Sequence, residues 1–186
     1  RLLVCALAVI LCCGGVQAQN KKIYLASSSS RYPNERPIWS EKQAQEWFDK
    51  HSPIKGINHP EPPCDAVSQD EALQRAAQIG YNSVRWWPNS WDYINSVDNY
   101  ATIAAKHGIN CAPVFGFTHV PTSASDSTSM EKKVREIIRY FRGDERIIMW
   151  DIWNEPVMSG EDCRDQMKWI RIIAQWCREE GCTQAI

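Results

Sequence analysis

A strand–helix alternation that repeats from residue 53 to the last residue constrains this chain more than any other feature. Short strand-like runs occur at Ile54–Asn58, Asn82–Trp87, Cys111–Phe115 and Ile147–Trp153, and another begins at Thr183–Ile186. Each of the first four leads into a stretch with helical apolar spacing. Leu73, Ala76 and Ala77 share one face; Val97, Tyr100, Ala101 and Ala104 line a second helix, near 96–107. Val134, Ile137, Ile138 and Phe141 give the same period over 130–142, and Ile170, Ile173, Trp176 and Cys177 over 161–180. Ser68 with Glu71 and Thr128 with Glu131 have capping-box spacing, while Gly80, Gly108 and Gly181 stand where helices stop. Strands alternating with helices at this period imply βα units and a parallel sheet.

Parallel sheets bury both faces, which leaves a doubly wound sheet or a (β/α)8 barrel. A doubly wound nucleotide binder carries a glycine-rich turn after its first strand. Here that turn reads Asn58-His59-Pro60-Glu61-Pro62-Pro63, which offers no cradle for a phosphate. The barrel is therefore expected. A complete barrel takes about 250 residues; residues 53–186, with strands one to four and the start of strand five, correspond to its N-terminal half. The 21 basic and 22 acidic residues nearly cancel and form no basic run, so nucleic acid is not an expected partner.

The N-terminus reads differently. Arg1, an apolar stretch over 2–13 and the small-residue end Val16-Gln17-Ala18 fit a secretory signal peptide over residues 1–18, hence a secreted or periplasmic protein. Gly14, Gly15, Gln17 and Gln19 interrupt the apolar run short of the roughly 20 residues a membrane span needs. Residues 19–52 read as a linker or strap with a short helix, and 53–186 as the folded domain. Cleavage after Ala18 would leave Cys64, Cys111, Cys163, Cys177 and Cys182, an odd number without zinc-ligand spacing. Cys111 and Cys177 read as small core residues.

Chemistry concentrates in Trp150-Asp151-Ile152-Trp153-Asn154-Glu155-Pro156, at the end of the fourth strand. Active sites of barrels lie at that end. Strand alternation puts Asp151, Trp153 and Glu155 on one side, and Pro156 ends the strand by removing a donor. In apolar surroundings Glu155 would hold its proton, as a general acid requires. Asp151 needs a partner, for which Arg85 is the candidate. Trp87 shares parity with Arg85 and Trp91 lies in the loop beyond; each offers a sugar-stacking face or plain core volume. His59 and His119 follow the first and third strands and are candidate donors to sugar hydroxyls. Glu131-Lys132-Lys133 reads as a solvated helix face.

WDIWNEP resembles the Asn-Glu-Pro signature of retaining glycoside hydrolases built on (β/α)8 barrels, with the family 5 cellulases, mannanases and xylanases closest in arrangement. Lys55-Gly56-Ile57-Asn58 resembles the first-strand motif of that family, and Gly80–Trp87 its second strand, which delivers an active-site arginine. The resemblance implies that Glu155 is the acid/base and that Asn154 hydrogen-bonds a sugar hydroxyl. It implies that Arg85 lies under the carboxylate nucleophile, a Glu ending a seventh strand beyond residue 186. No metal or organic cofactor is implied. The expected activity is hydrolysis of a β-linked polysaccharide or oligosaccharide. The alternatives are a carbohydrate-binding barrel without the second carboxylate and the barrel of a family 2-like glycosidase.

Overall fold

Parallel strands hydrogen-bond in the order β1-β2-β3 in the computed structural model, which describes residues 39–59, 65–156 and 163–186. The strands are β1 (Gly56–Asn58), β2 (Ser83–Trp86) and β3 (Asn110–Pro113). Their register sets Asn58 opposite Arg85, and Arg85 opposite Ala112. Helix α1 (Glu41–His51) precedes the sheet; α2 (Ala66–Gln78) and α3 (Tyr93–Lys106) separate the strands; α4 (Ala124–Phe141) and α5 (Cys163–Glu179) follow β3. The expected signal peptide, the linker over 19–38 and Pro60–Cys64 lie outside the described residues.

The expected half-barrel is not what forms. The sheet is open and has three strands. The fourth and fifth expected strands are attached only through isolated parallel bridges, Cys111 to Ile147, Val114 to Asp151, and Met149 to Ala185. Between the first two bridges the chain advances three residues on the β3 side and four on the other, so one residue is extra. Such an insertion breaks a ladder into separate bridges, as a β-bulge does. The alternation that made 147–153 look like one continuous strand cannot survive that offset.

The starts of α2 and α4 also depart from expectation, because earlier side chains capture the free N–H groups. Asp65, not Ser68, caps α2: its Oδ1 accepts from the Ser68 amide at 2.8 Å. Ser123 caps α4 through the Asp126 amide at 3.1 Å, and Thr128 lies inside the helix, donating to the Ala124 carbonyl at 2.9 Å. Helix α3 begins at Tyr93, whose buried hydroxyl donates to the Val114 carbonyl at 3.0 Å. That bond ties the start of α3 to the chain just past β3.

Val84 and Trp86 point from β2 into the main core, beside Val97, Tyr100, Cys111, Ile138, Phe141 and Trp150. Trp86 and Tyr100 have ring centroids 4.5 Å apart. Full burial of each large apolar side chain here stabilises by about 1.5–3 kcal/mol. Arg85, between Val84 and Trp86, necessarily faces the other way. Helix α1 carries a Ser40–Gln43 capping box and docks through Trp47, whose Nε1 donates to the Ile148 carbonyl at 3.1 Å, and through Lys50, 2.9 Å from Glu145. Among the described residues no helix is long and apolar enough to cross a membrane.

Candidate active site

Arg85 is the centre of the polar cluster at the carboxyl end of the sheet. Its Nε and Nη2 donate to Asp151 Oδ2 at 2.8 and 2.5 Å. Nη2 also donates to Asn154 Oδ1 at 2.6 Å, and Nη1 to Asn58 Oδ1 at 3.1 Å. A guanidinium has five N–H donors. These four bonds leave one Nη1 hydrogen without a partner among the described residues. The guanidinium lies over the Trp87 ring, 4.3 Å from its centroid, a cation–π stack that covers one face of the indole. Arg85 thereby joins three segments: the end of β1, β2 itself, and the 151–154 stretch.

Other expected site residues are placed less uniformly. The backbone N–H of His59 donates to the Arg85 carbonyl at 2.8 Å, and its Nδ1 is 2.8 Å from the Tyr100 hydroxyl. Burial pushes the imidazole below its usual pKa, which favours the neutral ring. Its side chain is committed to Tyr100 rather than turned toward Arg85. Trp91 is 96% exposed in the loop before α3, outside the Arg85 network. His119 is exposed in the loop between β3 and α4. Lys133 departs from the solvated-face reading. It is half-buried, with its ammonium 5.6 and 5.9 Å from the Tyr93 and Phe117 ring centroids, and burial lowers its pKa.

Glu155 is exposed, not enclosed in apolar walls. The reason is local. The Trp153 amide donates back to Asp151 Oδ1 at 3.2 Å, folding the chain into a turn, and Glu155 itself has φ 48°. Strand alternation stops at Asp151, so Glu155 no longer shares its side. Trp153 is buried instead and approaches Phe117 at 6.4 Å between centroids. Left-handed backbone in a non-glycine residue costs about 1–2 kcal/mol and gathers at functional positions.

Neither a protein-family model nor a curated protein matches this chain. The chemistry must be read from the cluster itself. It holds an ion pair, two side-chain amides that fix the guanidinium plane, an indole face and an exposed carboxylate one residue past Asn154. Amides, a guanidinium and indoles are groups that bind hydroxyl-rich rings. One member of this cluster, Asn58, and one residue outside it, Tyr100, carried no sequence assignment to the site. Asn58 was detectable from register alone, since a parallel pairing of the first two expected strands sets it beside Arg85. Tyr100 read only as part of an apolar stripe, and nothing in the sequence marks it as the partner of His59.

Proposed function

We propose that this chain carries the acid/base side of a retaining glycosidase site acting on β-linked polysaccharides or oligosaccharides. The observation that supports the reading is the joint fixing of Arg85 and Asn154 at the carboxyl end of the sheet, with Glu155 next in sequence. These three residues are the ones that match the glycoside hydrolase pattern. In this reading Asn154 and the free Arg85 N–H hold the sugar and the carboxylate nucleophile. Glu155 protonates the leaving oxygen and then deprotonates the water that releases the glycosyl-enzyme. Retention requires the nucleophilic carboxylate about 5–5.5 Å away, and the resemblance assigns it to a seventh strand outside these 186 residues. Secretion through residues 1–18 belongs to the same proposal.

The test is hydrolysis by the protein that bears this sequence, with Glu155→Gln as the variant. Turnover of unactivated oligosaccharides should fall by about 10²–10⁴, while glycosylation by activated aryl glycosides is spared. Equal loss on both substrates would overturn an acid role. The exposure of Glu155 favours a second reading, carbohydrate binding without cleavage. In that case oligosaccharide binding, followed by tryptophan fluorescence, weakens in Arg85→Met and no hydrolysis is found with any substrate.

A further inference from the structure

Helix α5 ends in a motif that brings the backbones of two cysteines together. Gly181 has φ 81°, a left-handed conformation that glycine adopts without strain. The Cys182 amide donates to the Cys177 carbonyl and the Gly181 amide to the Arg178 carbonyl, each at 3.0 Å. This pair of bonds defines a Schellman cap, in which the residue after the glycine packs on the residue five positions before it. An apolar contact between those two positions frequently accompanies the motif; here both positions are cysteines. Covalent geometry around a 3.0 Å N···O bond limits the Cα separation to about 7 Å. A disulfide needs roughly 4.4–6.8 Å. Both residues are buried, at 0% and 6% exposure, and both are free thiols.

We propose that Cys177 and Cys182 form a dithiol modification site that closes to a disulfide across the C-terminal cap of α5, with a small-molecule disulfide as oxidant. Cys182, the less enclosed of the two, attacks one sulfur of the oxidant as a thiolate and expels the other as a thiol. Cys177 then attacks the Cys182 sulfur of the mixed disulfide and releases the second thiol. Each cysteine loses its hydrogen, one S–S bond forms, and the oxidant's S–S bond is reduced to two thiols. Burial pushes both protein thiols up, while the adjacent Arg178 charge pulls both down.

Closure acts on the segment that follows. Cys182 now gives its thiol contact to Gln184 Oε1, at 3.2 Å, and Gln184 anchors by donating to the Phe141 carbonyl at 2.9 Å. Ala185 exchanges hydrogen bonds with Ile148 and Trp150, the residues that lead into Asp151. The disulfide would replace the Cys182 thiol contact by a covalent tie between α5 and this supporting segment.

The experiment is equilibration of the native chain with glutathione disulfide, alkylation under denaturing conditions and tryptic mapping. Cleavage after Arg171 and Arg178 separates the two cysteines, Cys177 into residues 172–178 and Cys182 into the peptide that begins at Glu179. Closure is read as a linked pair two hydrogens lighter than the sum, which disappears on reduction and in Cys182→Ser. Exposed Cys163 is the internal control, since it should take up a single glutathione. The proposal is overturned if Cys163 is modified while Cys177 and Cys182 are recovered fully alkylated. It is equally overturned if the 177–182 link appears only after unfolding, or if either residue pairs instead with Cys163.

Discussion

Arg85 and Asp151, 66 positions apart, meet through a single carboxylate oxygen that accepts from both Nε and Nη2. Their side chains are 29% and 24% exposed, so the pair is partly desolvated. Removing one partner of a buried pair costs about 3–5 kcal/mol, and partial exposure reduces this to about 1–2 kcal/mol here. Asp151→Asn should therefore lower unfolding stability by that amount in urea titrations. Asp151→Ala should cost about 0.5–1.5 kcal/mol more, because it also removes the acceptor of the Trp153 amide. Equal stabilities for the two variants would show that this turn contributes nothing.

His59 supplies a pH dependence. Its folded pKa lies below the ordinary 6.5 because burial disfavours the cation. His51 is shifted the same way, first by burial and then by Lys50. Above pH 6.5 both states of the chain hold these rings neutral. As the pH falls below 6.5 the unfolded chain takes up protons first, so stability declines until the folded rings protonate too. The slope between about pH 7 and 5 should be positive, and His59→Gln should flatten it. Thermal melts across that range check the sign, and a slope unchanged in the variant would remove His59 from the account.

How much of this was legible in the sequence depends on the range of the interaction involved. Gly108 and Gly181 stop helices where expected, and Val84, Cys111, Ile137 and Cys177 are in the core, because local pattern decides those outcomes. Arg85 was the candidate partner for Asp151 on charge, and the two meet. The expected fourth strand is broken by a single extra residue between Ile147 and Asp151, a register effect invisible to a pattern of apolar runs. Glu155 was misplaced for a related reason. Whether Asp151 accepts from the Trp153 amide is decided by the turn, and that turn ends the alternation on which the expectation relied. Capping boxes at Ser68 and Thr128 lost to Asp65 and Ser123, equally good caps lying upstream.

Helices α4 and α5 are laced by Arg135, which reaches Glu131, Glu179 and Glu180 at 2.8, 2.6 and 2.9 Å, while Arg139 adds a second contact to Glu180 at 2.6 Å. Arg135→Ala should destabilise by about 1–2 kcal/mol at low salt and by less at 1 M, where the screening length is about 3 Å. Hydrogen bonds from Arg139 and Arg135 hold Glu180 and Glu179 below their ordinary 4.5. Their contribution is complete above pH 4.5 and is lost as the pH falls through the lower folded values. The wild-type advantage over Arg135→Ala should thus fade in acid. Denaturant midpoints at pH 7 and pH 3, at two salt concentrations, read both effects.

Glu155 separates stability from chemistry. Its φ of 48° places a side chain where only glycine is unstrained, at a cost of about 1–2 kcal/mol. Glycine returns part of that gain through the greater freedom of its unfolded chain, about 0.5–1 kcal/mol. Glu155→Gly should therefore be as stable as the wild type or up to about 1 kcal/mol more stable, although it removes the proposed proton donor. Glu155→Gln keeps the strained backbone and should leave stability unchanged, so the two variants share a loss of turnover but differ in melting temperature. A Glu155→Gly protein less stable than Glu155→Gln would mean that contacts of the side chain at this position outweigh the backbone strain.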